Sequence, residues 1–320
     1  DSVMNALAPH DSGIVLDTVP ITIATPWSRP PVHLALETVI VAIGVATLVH
    51  ALRARRAGDS LPLFTWTTIL VYGVVMELLS YNFVDNFIHA QFSVMFYHRK
   101  LPLYVTAVYP TLLYLGIATA RRFHFPRWAE GFAAGLLIVL LDVPFDVTGP
   151  VVRWWSWSPT DPLLSARWCG VPVTSYFWHL AFGGILARLT SLIGPHVRTN
   201  QQLVLSSFPA ALLTIVLGVV AFLPLHALAA IGVPHGVTAA CALAICAAIL
   251  VAAPKQPAAT RDPFLLAVIA AFYLFHLAVA AFSVPPAHLA FVIGATAFAA
   301  AVNAFAHGAP WLRARRAVTG

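Results

Sequence analysis

Five acidic residues fall inside otherwise apolar stretches: Glu37, Glu77, Glu130, Asp142 and Asp146. An ionisable group held away from water is costly to keep, so each is a candidate for chemistry. Asp142 and Asp146 are four residues apart, which on a helix places both carboxylates on one face, a turn apart. Pro144 between them lacks an N–H and should free a backbone carbonyl beside the pair. Ser80 and Tyr81 extend the polar face of Glu77 in the same way. Glu77, Asp142 and His179 each lie about seven residues, roughly 10 Å, from the same end of their apolar runs. Three segments thus bring an acid or an imidazole to one depth. Glu77, Asp142, Asp146 and His179 are the candidate catalytic residues, whereas Glu37 and Glu130 sit near segment ends and are expected to be structural.

Histidines and tryptophans add to this end of the molecule. The segment 85–100 carries Asp85, His89 and His98, and an i, i+4 spacing on a helix suits two ligands of one metal ion. Asp85, His89 and His98 are therefore candidate ligands of a divalent transition metal, and Asp142, Asp146 and His179 could join them. Trp154, Trp155 and Trp157 suit an interfacial aromatic belt. They could instead line a site with Tyr81 and Tyr176 and stabilise a cationic centre through their π faces.

The elements that must position these groups follow from composition. Of 320 residues, 60% are hydrophobic and only 9% are charged, which leaves too few charges to cover a soluble domain. Nine apolar windows fall at 33–54, 62–84, 101–122, 127–149, 172–194, 202–224, 233–253, 263–283 and 286–307, each long enough to span a bilayer. The fold class is all-α, a polytopic transmembrane bundle with the N-terminus outside and the C-terminus cytoplasmic. That orientation puts twelve of the Lys and Arg residues on the inner side and five on the outer, with Arg188 inside a helix, as the positive-inside rule requires.

Residues 1–32 then form an extracytoplasmic segment, 33–311 a single membrane domain, and 312–320 a basic cytoplasmic tail. Two outer segments are unlike simple connections. Residues 85–100 are expected to form an interfacial or re-entrant amphipathic helix, and 150–171 a Trp- and Pro-rich loop, both over the same end of the bundle. The first thirty residues contain no apolar core of a signal peptide.

Several classes are excluded. The net charge of +6 comes from arginines clustered between apolar runs, a topology signal rather than a nucleic-acid surface. Three cysteines form no metal or disulfide framework. Lys100 and Lys255 are the only lysines and both lie at segment edges, so neither suits a Schiff base in mid-helix. No phosphate-binding glycine loop or nucleophile elbow is present.

The order Asp142-Val-Pro-Phe-Asp146, then Trp155-Ser-Trp157, then Gly170-Val171-Pro172 resembles the membrane carotenoid-biosynthesis proteins that include bacterioruberin-type carotenoid hydratases. Glu77 on an upstream helix, followed by a span with aromatics from Tyr104 to Tyr114, continues the likeness, which covers about residues 70–185. Ser175-Tyr176 stands where that family would carry Asn-Phe. The resemblance implies hydration of an isolated alkene: a proton donor, a stabilised carbocation, and water activated on the opposite side. Asp142 or Glu77 would donate, Asp146 or His179 would orient water, and the tryptophans would shield the cation.

Three functional expectations result. The first is an integral membrane enzyme acting on an isoprenoid, carotenoid or other membrane lipid by acid–base chemistry. The second is a metal-dependent membrane enzyme with Asp and His ligands. The third is a non-enzymatic lipid- or pigment-binding scaffold in which the acids lock helices together. The expected setting is the cytoplasmic membrane of a prokaryote.

Overall fold

A computed structural model describes residues 20–84, 86–258 and 260–308. The basic tail, most of the N-terminal segment and Asp85 lie outside the described residues. Among those described, nine helices are long and apolar enough to cross a membrane. They are α1 (Pro31–Arg56), α2 (Leu61–Leu79), α3 (Leu103–Arg121), α4 (Glu130–Thr148), α5 (Val173–Ile193), α6 (Asn200–Ala230), α7 (His235–Ala252), α8 (Pro263–Ser283) and α9 (Pro286–Gly308). Each coincides with one apolar window of the sequence, because backbone groups in lipid must be satisfied within the segment itself.

Helices α3 and α4 are the most enclosed, while α7 turns nearly all of its surface outward. The first five helices pack around α3 and α4, and α8 and α9 close over α1 and α4. The α4–α5 contact is set by small residues. A Cβ on Gly135 would lie 2.4 Å from the Leu180 carbonyl oxygen, and one on Gly131 would lie 2.9 Å from that of Gly184. Only hydrogen at these positions lets the two backbones touch, as in other small-residue helix pairs in membranes. Asp142 and Asp146 continue the face of α4 that carries Gly131 and Gly135, which presses both acids against the start of α5.

At one end of the bundle, arginines tie the connections between helices together. Arg55 donates to the Arg198 carbonyl at 2.8 Å, and the Gln256 amide donates to the Phe123 carbonyl at 2.8 Å, joining the α1–α2, α3–α4, α5–α6 and α7–α8 connections. There Arg121 pairs with Glu130 at 3.1 Å and donates to Thr65 and Thr190, a fully partnered knot between α2, α3, α4 and α5. Glu130 is structural, as its place in the sequence suggests.

The opposite end departs from the sequence reading. Residues 85–100 contain no helix among the described residues. They form β2 (Phe87–His89) and β3 (Val94–Phe96), followed by a turn in which Tyr97, His98 and Arg99 all take positive φ. β3 pairs with β1 (Ile21–Ile23) and with β4 (Leu101–Pro102), and β2 pairs antiparallel with β5 (Trp155–Trp157). The physical reason lies in distant partners. Glu37 accepts the Ser93 and Val94 amides at 3.1 and 3.2 Å, and the Trp segment supplies the ladder for β2. The two outer segments do lie over one end, joined as a ribbon.

Candidate functional site

Strand alternation fixes what the ribbon presents. Phe87 faces Trp157 and His89 faces Trp155 across the ladder, while Ile88 and Ser156 take the other side. One face of the ribbon is therefore Phe87, His89, Trp155 and Trp157, as the two-residue period of a strand requires. A Cβ on Gly149 would lie 2.0 Å from the Trp155 ring, so that glycine lets the ribbon fold down onto the end of α4. His89 is thereby lowered onto the end of α2, where its Nε2 lies 3.4 Å from Glu77 Oε2.

Glu77 is buried and accepts a hydrogen bond from Tyr109 at 2.8 Å. On the other side of the imidazole, Tyr104 Oη lies 3.0 Å from His89 Nδ1. Tyr81, in the π-helical turn that ends α2, sets its ring at right angles to His89. Glu77, His89 and three tyrosines from α2, the ribbon and α3 thus form one group. Ser80 does not extend the face of Glu77; its hydroxyl donates to Asn86 instead.

A second group lies on α4 and α5. Asp142 Oδ2 is 3.3 Å from His179 Nδ1. Ser175 donates to Asp146 Oδ2 at 2.6 Å. One ligand-type atom from each of Asp142, Asp146 and His179 lies within 4.8 Å of the other two. His179 Nδ1 also lies 3.0 Å from the Ser175 carbonyl. Pro144 does not break α4, which runs on through both acids.

The two groups flank the outer half of α3. Tyr104 and Tyr109 lie in the electrostatic field of both Glu77 and Asp146. Several buried atoms of this region have no hydrogen-bond partner: both oxygens of Asp142, Oε2 of Glu77, Nε2 of His89, the Tyr72 and Tyr81 hydroxyls, and Nε1 of Trp157. A buried polar atom left unpaired costs about 1–3 kcal/mol. The contacts of this region are long acid–histidine pairs, unlike the fully partnered knot around Arg121.

Three sequence expectations change here. Of the candidate metal ligands, Asp85 lies outside the described residues, His89 is held by Glu77 and Tyr104, and His98 is exposed in the turn beside Tyr97. The i, i+4 spacing has no meaning on a strand. Trp154 is fully buried and donates to the Val32 carbonyl at 3.3 Å, and Trp155 packs on Phe145. Both are core residues rather than an interfacial belt. Tyr176 donates to the Trp168 carbonyl at 3.3 Å and stacks on that ring, so it holds the outer loop in place. Glu37 anchors β3, in keeping with a structural role.

Tyr104, Tyr109 and Ser175 were not singled out as site residues by sequence. Tyr104 and Tyr109 are five residues apart, about 140° around a helix, so no single face announces them. Ser175 sits four residues before His179, a spacing that could have found it.

The length and hydropathy of nine helices among the described residues mark an integral membrane protein. The chain belongs to a family described as a domain of unknown function (DUF7802), whose model matches residues 24–293. No curated protein and no solved structure matches it.

Proposed function

We propose that this protein is a membrane enzyme acting on an isoprenoid or other lipid by acid–base chemistry, hydratase-like in type. The observation that carries the reading is the pair of buried acid–histidine contacts, Glu77–His89 and Asp142–His179, with the acids on helices that pack on either side of α3. The roles divide by arm. The Glu77–His89 pair, steadied by Tyr109 and Tyr104, holds the proton to be delivered. Asp142, Asp146 and His179 orient water and take up its proton.

Addition to an alkene then balances. The Glu77–His89 arm gives a proton to one alkene carbon, water adds to the other, and the proton that water releases passes to the α4–α5 arm. The sum is one water added, and the cycle closes when the proton held by the α4–α5 arm returns through solvent to the Glu77–His89 arm. Among the described residues, the acids here pair with histidines rather than with Arg or Lys. That suits a neutral substrate end better than an anionic headgroup. An apolar chain would reach the region laterally from lipid.

In orientation, the Arg-rich end faces the cytoplasm and the ribbon faces outward, which puts the N-terminus outside and the C-terminus inside. A prokaryotic cytoplasmic membrane is the setting this implies. The test is the lipid extract of an expression host, compared by mass spectrometry for wild type, empty vector and Glu77→Gln. A species heavier than its precursor by one water, present with wild type and missing from both controls, is the expected result. Identical profiles for wild type and empty vector, in a host making C40 and shorter isoprenoids, would overturn the proposal.

A further inference from the structure

The α4–α5 arm carries a more specific reading, which rests on the role given to it above but is decided by a separate measurement. We propose that Asp142, Asp146 and His179 bind one divalent first-row transition metal ion. Their ligand atoms gather within 4.8 Å of one another, close enough for one ion with bonds of about 2.0–2.2 Å after small side-chain adjustments. Proximity of acids alone would not argue for a metal. Asp142 adds the second observation, since it is fully buried and its Oδ1 has no hydrogen-bond partner.

The surroundings are those of ligands rather than of an ion pair. His179 Nδ1 lies 3.3 Å from Asp142 Oδ2 and 3.0 Å from the Ser175 carbonyl, so the imidazole edge is held against the carboxylates by α5 itself. Ser175 performs the matching service for Asp146 by donating to Oδ2. One residue on the first turn of α5 therefore braces two of the three ligands.

The donor set names the class of ion. Two carboxylates and one imidazole suit Mn, Fe(II), Co or Zn, and the imidazole argues against Mg or Ca. Three protein ligands leave positions open, as catalytic sites do and structural ones do not. The Gly131–Gly135 contact keeps α4 and α5 close enough for the set to form.

The test uses the full chain in detergent, freed of any affinity tag and stripped with a chelator, then titrated with Co2+. One equivalent of Co2+ with visible d–d absorption is expected, together with a rise in melting temperature, because an ion that binds only the folded state stabilises it. Asp142→Asn and His179→Gln should each weaken binding more than 10-fold and lose the thermal shift, while His98→Gln and Glu77→Gln should bind as wild type does. Stoichiometry below about 0.1 equivalent in wild type, or equal binding by Asp142→Asn, would overturn the metal. A water adduct formed by metal-free protein would leave the proposed enzyme standing and remove this inference. One bound ion with no lipid product would do the reverse.

Discussion

Substituting Gly135 by alanine should damage the site from a distance. The added Cβ would sit 2.4 Å from the Leu180 carbonyl oxygen, where ordinary contact needs about 3.4 Å, so α4 and α5 must part by roughly 1 Å. His179 is the neighbour of Leu180 on α5 and Asp142 lies two turns beyond Gly135 on α4, the two side chains 3.3 Å apart. A displacement of that size takes them beyond hydrogen-bond reach. Overpacking of this kind costs about 1–3 kcal/mol. Gly294 on α9 provides the matched control, because a Cβ there meets nothing within 4 Å. Alanine at 294 should be neutral or stabilising by about 0.5–1 kcal/mol, the helix preference of alanine over glycine. Thermal melts of the two variants in one detergent make the comparison, with product formation as the second readout. Gly135→Ala melting with Gly294→Ala and retaining wild-type product would refute the reasoning about close approach.

Two further outcomes follow from particular contacts. Tyr109→Phe removes one hydrogen bond to Glu77, so the melting point should fall by an amount equivalent to about 0.5–1.5 kcal/mol while product formation drops several-fold; equal activity would detach Tyr109 from the site. At the Arg-rich end, Asp262 caps α8 through the Leu265 amide and meets His50 at 3.2 Å. Burial pushes the Asp262 carboxyl up, but the His50 and Leu265 hydrogen bonds and the charges of His50 and His307 outweigh it and bring it down to about 2. A carboxyl lowered by folding contributes stability above its unfolded value, and that contribution is lost as pH falls from about 4 to 2. Asp262→Asn keeps a good cap, so its melting point should be lower at pH 7 and flatter through that acid range; an unchanged acid profile would contradict the pairing.

What the sequence made legible was what depends on local composition. Nine apolar windows became nine helices because membrane-length helices satisfy their own backbones. The Asp142–Asp146 pair and His179 were found because four-residue spacing and depth survive folding. The ribbon over the site was hidden, since β2 and β5 are brought together by residues some seventy positions apart and neither strand is stable alone. The i, i+4 spacing of Asp85 and His89 presumes a helix, whereas residues 87–89 form a strand whose partner lies elsewhere in the chain. His89 nevertheless reached the site, by strand alternation rather than helical turn. Trp154 and Trp155 were misplaced in a surface belt because composition does not tell a ring at the membrane edge from one folded beneath it.

The central claim is that the buried acids do chemistry rather than lock helices, and replacing Asp142 by asparagine separates the two most directly. Exchange of a buried acid for its neutral isostere, which keeps an oxygen for His179, need not destabilise a fold. The account predicts that Asp142→Asn reaches the membrane and melts near or above wild type, yet yields none of the water adduct that wild type adds to the lipid extract. The adduct appearing at the wild-type level from this variant would contradict it.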